Sequence, residues 1–281
     1  AVARAAEAFL VDPPKDGKPF FLNIGLLNPH DICYWGWEYN PSKLSMAEEM
    51  EDRLPELPPN FLPDKSATGW SDVQWRFYAY SYFRFVEMVD EEVGRVYRAY
   101  LRSPQRRNTV FIFSSDHGQG SGEHGHTTKG MPYEHSLRVP LGIVDPQGVP
   151  RHDAASLVSG LDMAPTICDY AGLPPMPRNN GCSLKPLVRG EDVAWRNWLA
   201  ASSSMLKEAS VWKGDYKLIY ERRSGKSRLF NLKQDPWETN DLSQDPAHAG
   251  KLDELGALRK QYDAGREVCS MARKDLERLG G

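Results

Sequence analysis

Between Pro19 and Asn28 the chain is apolar almost throughout: Phe20-Phe21-Leu22, then Ile24 to Leu27, broken only by Asn23. A short apolar run bounded by turn residues predicts a buried strand over 20–27. Asn28-Pro29 disfavours any further ladder or helix, so His30-Asp31 falls in a turn just past the strand end. In open α/β sheets that is where ligands bind. Thr109 to Phe113, β-branched and aromatic, predicts a second buried strand, and Arg138 to Val144 a third. Between the first two strands, Ser71-Asp72-Val73-Gln74 has the form of a capping box. Behind it Val86, Val89, Val93, Val96 and Tyr100 recur at helical spacing, which predicts a long helix ending near Ser103-Pro104 and covering one face of the sheet.

Residues 36 to 70, with Pro55, Pro58, Pro59 and Pro63, read as a long irregular excursion over the surface. Asp162 is placed to cap a helix that carries Pro165 in its first turn and ends at Gly172. After Gly190 the pattern changes. Val211 to Tyr220 and Ser227 to Leu232 read as antiparallel strands with a turn at Ser224-Gly225, and Leu252, Leu255 and Leu258 mark a terminal helix. The expected fold is therefore α/β: a mostly parallel sheet flanked by helices over 1–190, and a small antiparallel α+β subdomain over 191–281.

Composition changes this picture little. The chain has 281 residues, 40% hydrophobic and 26% charged, with a formal net charge of -3, as in ordinary globular proteins. No basic stripe appears, which argues against nucleic acid or an anionic membrane as partner. No apolar run approaches the ~20 residues needed to span a bilayer. Cys33, Cys168, Cys182 and Cys269 match no zinc spacing and read as buried or free thiols. The opening Ala1-Val2-Ala3-Arg4-Ala5-Ala6-Glu7-Ala8-Phe9-Leu10 is good helix sequence without an N-cap, a start expected inside a domain, as in a truncation or a cleaved product.

Candidate chemistry concentrates after the second strand. Asp116-His117-Gly118 puts a carboxylate and an imidazole at a strand end, a donor pair suited to a divalent cation. The same residues can equally cap the loop and bond to backbone. Glu123, His124, His126 and Lys129 follow closely. A compact lysine cation can hold an anionic oxygen, and it can also be a solvated surface group.

The stretch Val110 to Gly118, then Gly122-Glu123-His124-Gly125, Lys129-Gly130 and Tyr133-Glu134-His135-Ser136-Leu137-Arg138-Val139-Pro140-Leu141, resembles the sulfatase family of the alkaline phosphatase superfamily in order and spacing. Pro19 to His30, Leu161 to Leu173, and Leu229 to Leu232 with Asp235-Pro236-Trp237-Glu238-Thr239-Asn240-Asp241-Leu242 extend the likeness from about residue 1 to 245. The resemblance implies an alkaline-phosphatase-like fold and hydrolysis of sulfate esters. It implies that Asp116 and His117 ligate a divalent cation, in this family usually calcium, although many members have Asn at the position of His117. It implies that Lys129 binds a sulfate oxygen, and that His30 contacts sulfate and protonates the leaving group. His124, His126, His135 and the aromatic segment Tyr34-Trp35-Gly36-Trp37 are candidates for lining a sugar pocket, with core or rim packing as the other reading. A sulfated small molecule or carbohydrate is the implied substrate. Family members are often lysosomal, periplasmic or secreted.

One family hallmark is absent. Cys-x-Pro/Ala-x-Arg, whose cysteine becomes the formylglycine nucleophile, begins at none of the cysteines; Cys269-Ser270-Met271-Ala272-Arg273 is a near miss. The expectation is that formylglycine and further metal-binding carboxylates lie in an N-terminal half on the same or a second polypeptide, and that this chain alone is inactive. Two other readings stay open: a phosphomonoester, phosphodiester or phosphonate hydrolase of the same superfamily, and a stand-alone, non-catalytic binding protein. The second has a physical weakness, since the strands at Phe20 to Leu27 and Thr109 to Phe113 carry no charge or proline to protect exposed edges.

Overall fold

The computed structural model describes residues 1–34, 42–62, 69–174, 177, 179–203 and 207–265. It resolves into two compact units, Ala1–Phe111 with Gln119–Thr128, and Ile112–Gly118 with Lys129–Gly281.

In the first unit, α1 (Val2–Val11) packs along α3 (Asp72–Arg102). The paired helices bury Ala3, Ala6 and Leu10 on one side and Val96, Ala99 and Tyr100 on the other, and Arg102 reaches Glu7 at 2.8 Å. The capping box at Ser71 is formed: its side chain accepts from the Gln74 N–H, and Gln74 accepts from the Ser71 N–H. The predicted apolar stripe is only half used. Val96 and Tyr100 are buried, but Val86 is exposed, as are its neighbours Phe83 and Met88. The helix instead buries Trp75, Phe77, Tyr78 and Ala79 near its start. There α2 (Ser42–Glu49) contributes Ala47 to a cluster with Leu54 and Phe77. That helix lies within the expected irregular excursion, in the proline-free stretch between Pro41 and Pro55.

The run 20–27 is not a strand. Its residues alternate between exposed and half-buried, with Phe21 72% and Leu27 69% exposed, and no described strand pairs with it. Apolar sequence without a ladder partner keeps the two-faced pattern and forms no sheet. The turn that follows becomes a short 3-10 helix, His30–Tyr34, after a cis Asn28-Pro29 bond.

The second unit takes up β1 (Phe111–Ser114) from Ile112 onward, and this strand pairs with β2 (Leu141–Val144), which follows α4 (Glu134–Leu137). Both strands begin later than predicted and are half-buried or exposed. Next comes α5 (Met163–Tyr170), with Gly172 left-handed just past its end, as expected. Asp162 does not cap α5. Its carboxylate turns back to accept from Ser159 at 2.7 Å, from Cys182 at 2.8 Å and from Arg196 at 2.6 Å. A buried carboxylate needs a cation more than a helix needs a cap. Cys182 is disulfide-bonded, unlike free Cys33 and Cys168, which corrects the expectation of thiols throughout. Cys269 lies outside the described residues.

After α6 (Lys185–Val188) the chain forms a four-stranded antiparallel sheet. Its strands are β3 (Trp198–Ser202), β4 (Glu208–Lys213), β5 (Tyr216–Glu221) and β6 (Ser227–Asn231). Val211 to Tyr220 is thus two strands, divided where left-handed Gly214 turns the chain. The register Leu218↔Leu229 and Ile219↔Arg228 sorts the side chains onto two faces. Leu218 and Leu229 pack on Leu255 of α7 (Ala249–Asp263). On the other face, Ile219 and Phe230 pack on Tyr133. With both faces covered, each fully buried Leu or Ile contributes about 2 kcal/mol of transfer free energy.

Candidate functional site

Strand β1 carries the chain to Ser115, and Asp116 and His117 follow at its end. The Asp116 side chain is 82% exposed and that of His117 36%, with Nε2 to Oδ2 at 3.3 Å. Asp116 Oδ1 also accepts the His117 backbone N–H at 3.0 Å. His117 Nδ1 lies 2.9 Å from the Gly118 carbonyl oxygen, which can only accept, so Nδ1 carries the proton. That leaves Nε2 turned toward a carboxylate oxygen. The imidazole nitrogen and the carboxylate oxygen thus lie close enough together to face one cation. Two donors of the right type, one held by a backbone carbonyl behind it, fit a divalent cation. They make part of a coordination sphere: among the described residues, no group of three or more His, Cys, Asp or Glu comes together at metal-binding distance.

Gly118 is fixed by what it touches. Its N–H donates to the Ser136 carbonyl at 2.8 Å. A Cβ there would lie 2.0 Å from the His135 carbonyl oxygen. The backbone of α4 therefore lies directly against the residue that follows the Asp-His pair. The His135 ring, half-buried, stacks on Tyr133 at 5.8 Å. Lys129 is half-buried in the loop that leads to this helix, beside left-handed Gly130.

The first unit holds the other candidates. His30 is half-buried and meets Tyr34 edge-on at 5.8 Å. Tyr34 itself is 73% exposed, whereas Trp35, Gly36 and Trp37 lie outside the described residues. His124 takes a left-handed φ of 51 and places Nε2 3.1 Å from Asn60 Nδ2. Its backbone N–H donates to the Asn60 carbonyl at 2.9 Å. The loop closes on itself as the His126 carbonyl accepts from Gly122 at 2.8 Å and the His126 N–H donates to Glu123 at 3.0 Å. Beneath it Tyr78 and Gln119 both donate to the Thr127 carbonyl, at 2.9 and 2.6 Å. Burial pushes the Glu123 carboxyl and the Tyr78 hydroxyl above their ordinary ranges, with backbone N–H donors pulling Glu123 back. The loop histidines are thus held by their own backbone turn over a buried polar floor.

Sequence reasoning passed over four charged groups near the second unit's candidates. Glu134, Glu238 and Lys217 form a buried cluster beside His135, and Arg228 lies over the Tyr133 ring at 5.0 Å. The Glu134 and Glu238 motif letters were visible, but nothing in a strand pattern says that a lysine points inward. No helix among the described residues is long and apolar enough to cross a membrane.

The family profile "Sulfatase" matches residues 1–173, and the profile "N-sulphoglucosamine sulphohydrolase, C-terminal" matches 122–262. A delta 4,5-hexuronate-2-O-sulfatase of Bacteroides thetaiotaomicron is 28% identical, with 92% of this chain and 59% of that protein covered. The solved structure of a 2-O GAG sulfatase superposes with a TM-score of 0.76 at 25% identity, covering 93% of this chain and 62% of that one. A phosphonate monoester hydrolase of Agrobacterium radiobacter superposes with a TM-score of 0.59 at 26% identity, covering 70% and 44%. The chain spans about three-fifths of the hexuronate sulfatase's length.

Proposed function

Because this chain belongs to the sulfatase family, we propose that it serves in metal-assisted hydrolysis of a sulfate ester carried on a carbohydrate. The observation that carries the reading is the Asp116–His117 pair, exposed at the end of β1 with one His nitrogen fixed by backbone. A divalent cation held there, calcium by family habit, would supply Lewis-acid stabilisation of charge on the sulfate oxygens. Lys129 is assigned to a sulfate oxygen, where a fixed ammonium favours the charge that builds as the ester bond breaks. His30 is assigned the proton for the departing sugar oxygen, a task suited to an imidazole near neutral pH. His124, His126 and His135 are assigned to the saccharide. The nucleophile, formylglycine, and the remaining metal carboxylates are assigned to a segment outside this sequence.

The carbohydrate is favoured by the hexuronate 2-O-sulfatase relative. The likeness to a phosphonate hydrolase keeps a second reading, attack on a phosphonate or phosphate ester by the same superfamily chemistry. The protein carrying this sequence, with its full site, would be assayed in parallel on a sulfated uronic-acid disaccharide, an aryl sulfate and an aryl phosphonate. Sulfate release exceeding phosphonate cleavage is expected; the reverse order would replace the sulfatase reading with the phosphonate one. Asp116→Ala is expected to weaken calcium binding at least about tenfold, since even groups behind a ligand commonly cost that much. Calorimetric titration showing unchanged affinity would remove Asp116 from the ligand set.

A further inference from the structure

In the second unit, Lys217 of β5 is entirely buried. Its Nζ sits 2.7 Å from Glu238 Oε1 and 2.9 Å from Glu134 Oε1, over the Trp212 ring at 5.0 Å. Trp212 Nε1 donates to the same Glu134 oxygen at 3.0 Å. The second oxygen of Glu238 accepts the Glu134 backbone N–H at 2.8 Å, so Glu238 caps α4. Next to the cluster, Ser210 donates to the Pro132 carbonyl at 3.0 Å, and Arg228 pairs with Glu208 at 2.8 Å while donating to the Tyr133 hydroxyl.

As a source of stability this arrangement is poor. Two carboxylates and one ammonium lose most of their water, and a buried ion pair often does no better than apolar residues of the same volume. Burial lifts the Glu238 carboxyl above its ordinary range, with Lys217 opposing. Glu238 also holds a left-handed φ of 56, a conformation that costs a non-glycine residue of order 1 kcal/mol or more. What the cluster does hold is position. Its bonds end on Glu134, the residue before His135, and the His135-Ser136 backbone is the surface against which Gly118 closes.

We infer that Lys217 and Glu238 are positioning residues: by capping and clamping α4 from the C-terminal sheet, they set the strand-end turn that presents Asp116 and His117. The inference rests on the reading that this pair holds a cation, and its test separates the two. Amide hydrogen exchange and calcium titration would be followed in the protein carrying this sequence, for Lys217→Met and Glu238→Asn. Asn tolerates the left-handed backbone but is too short to reach the α4 N–H. Both variants are expected to speed Gly118 exchange at least tenfold and to weaken calcium about tenfold, while Leu218 and Leu229 amides stay within about twofold of wild type. Unchanged Gly118 exchange in both variants would overturn the inference. So would Gly118, Leu218 and Leu229 exchange rising together, which would reduce the cluster to general stability. If Asp116→Ala leaves calcium affinity intact, the cation reading fails, and the Gly118 exchange still decides whether the sheet positions the turn.

Discussion

Lys129→Ala is expected to lower turnover of a sulfate ester by about 100-fold or more in the protein with its full site. In-line displacement at sulfur moves negative charge onto the departing oxygen. An ammonium at hydrogen-bond distance gains most where that charge is greatest, so its removal lowers kcat more than it raises KM. About 100-fold corresponds to about 2.7 kcal/mol, the size of one lost donor to developing charge. Steady-state kinetics with a matched thermal midpoint would check this, and a near-wild-type kcat would end the assignment. His30→Ala should show a comparable loss with a different signature. If His30 supplies a proton, the loss is large on a sugar sulfate, whose alkoxide leaves badly, and shrinks on a nitrophenyl sulfate, which needs no acid. Equal losses on both would point to a sulfate contact instead.

Asp162→Ala is expected to destabilise the second unit by about 3–5 kcal/mol. The Asp162 side chain is wholly buried, and its carboxylate is shared by Arg196, Ser159 and Cys182. Removing it leaves the Arg196 guanidinium, 2% exposed, without its counter-charge and two N–H donors without their acceptor. Thermal unfolding should move down by roughly 10 °C, at about 2–4 °C per kcal/mol for a chain of this size. A replacement with both partners apolar, Asp162→Leu with Arg196→Met, should recover part of the loss. A single-variant midpoint within about 2 °C of wild type would show that water or a neighbour already satisfies the arginine.

The long helix, its capping box and the antiparallel strands were legible because each rests on local pattern: a 3.6-residue period, a Ser-x-x-Gln pair, alternation around glycine turns. The strand over 20–27 was misread for a reason outside any window. Apolar runs state a demand for burial, and only a neighbouring strand can meet it. Asp162 looked like a helix cap because the sequence shows the helix and not the arginine folded against it from residue 196. Within the candidate site, Asp116, His117 and Lys129 stood out as letters in a familiar order. The buried Lys217 was hidden, because alternation assigns it to one face of β5 without saying that Tyr133 and Glu134 will cover that face.

Gly118 admits no side chain at all, and in the first unit Gly120 admits almost none, with the His126 and Thr128 carbonyl oxygens 2.7 and 2.9 Å from any Cβ. The region from Asp116 to His135 therefore has unequal freedom to vary. If the proposed saccharide roles hold, exchange of His124, His126 or His135 would alter specificity, with position 124 limited to residues that accept its left-handed φ of 51, whereas a single methyl at either glycine would push backbone from backbone. On that proposed reading, a new saccharide preference would be sought at positions 124, 126 and 135. Libraries that also randomise 118 or 120 would consist mostly of misfolded clones.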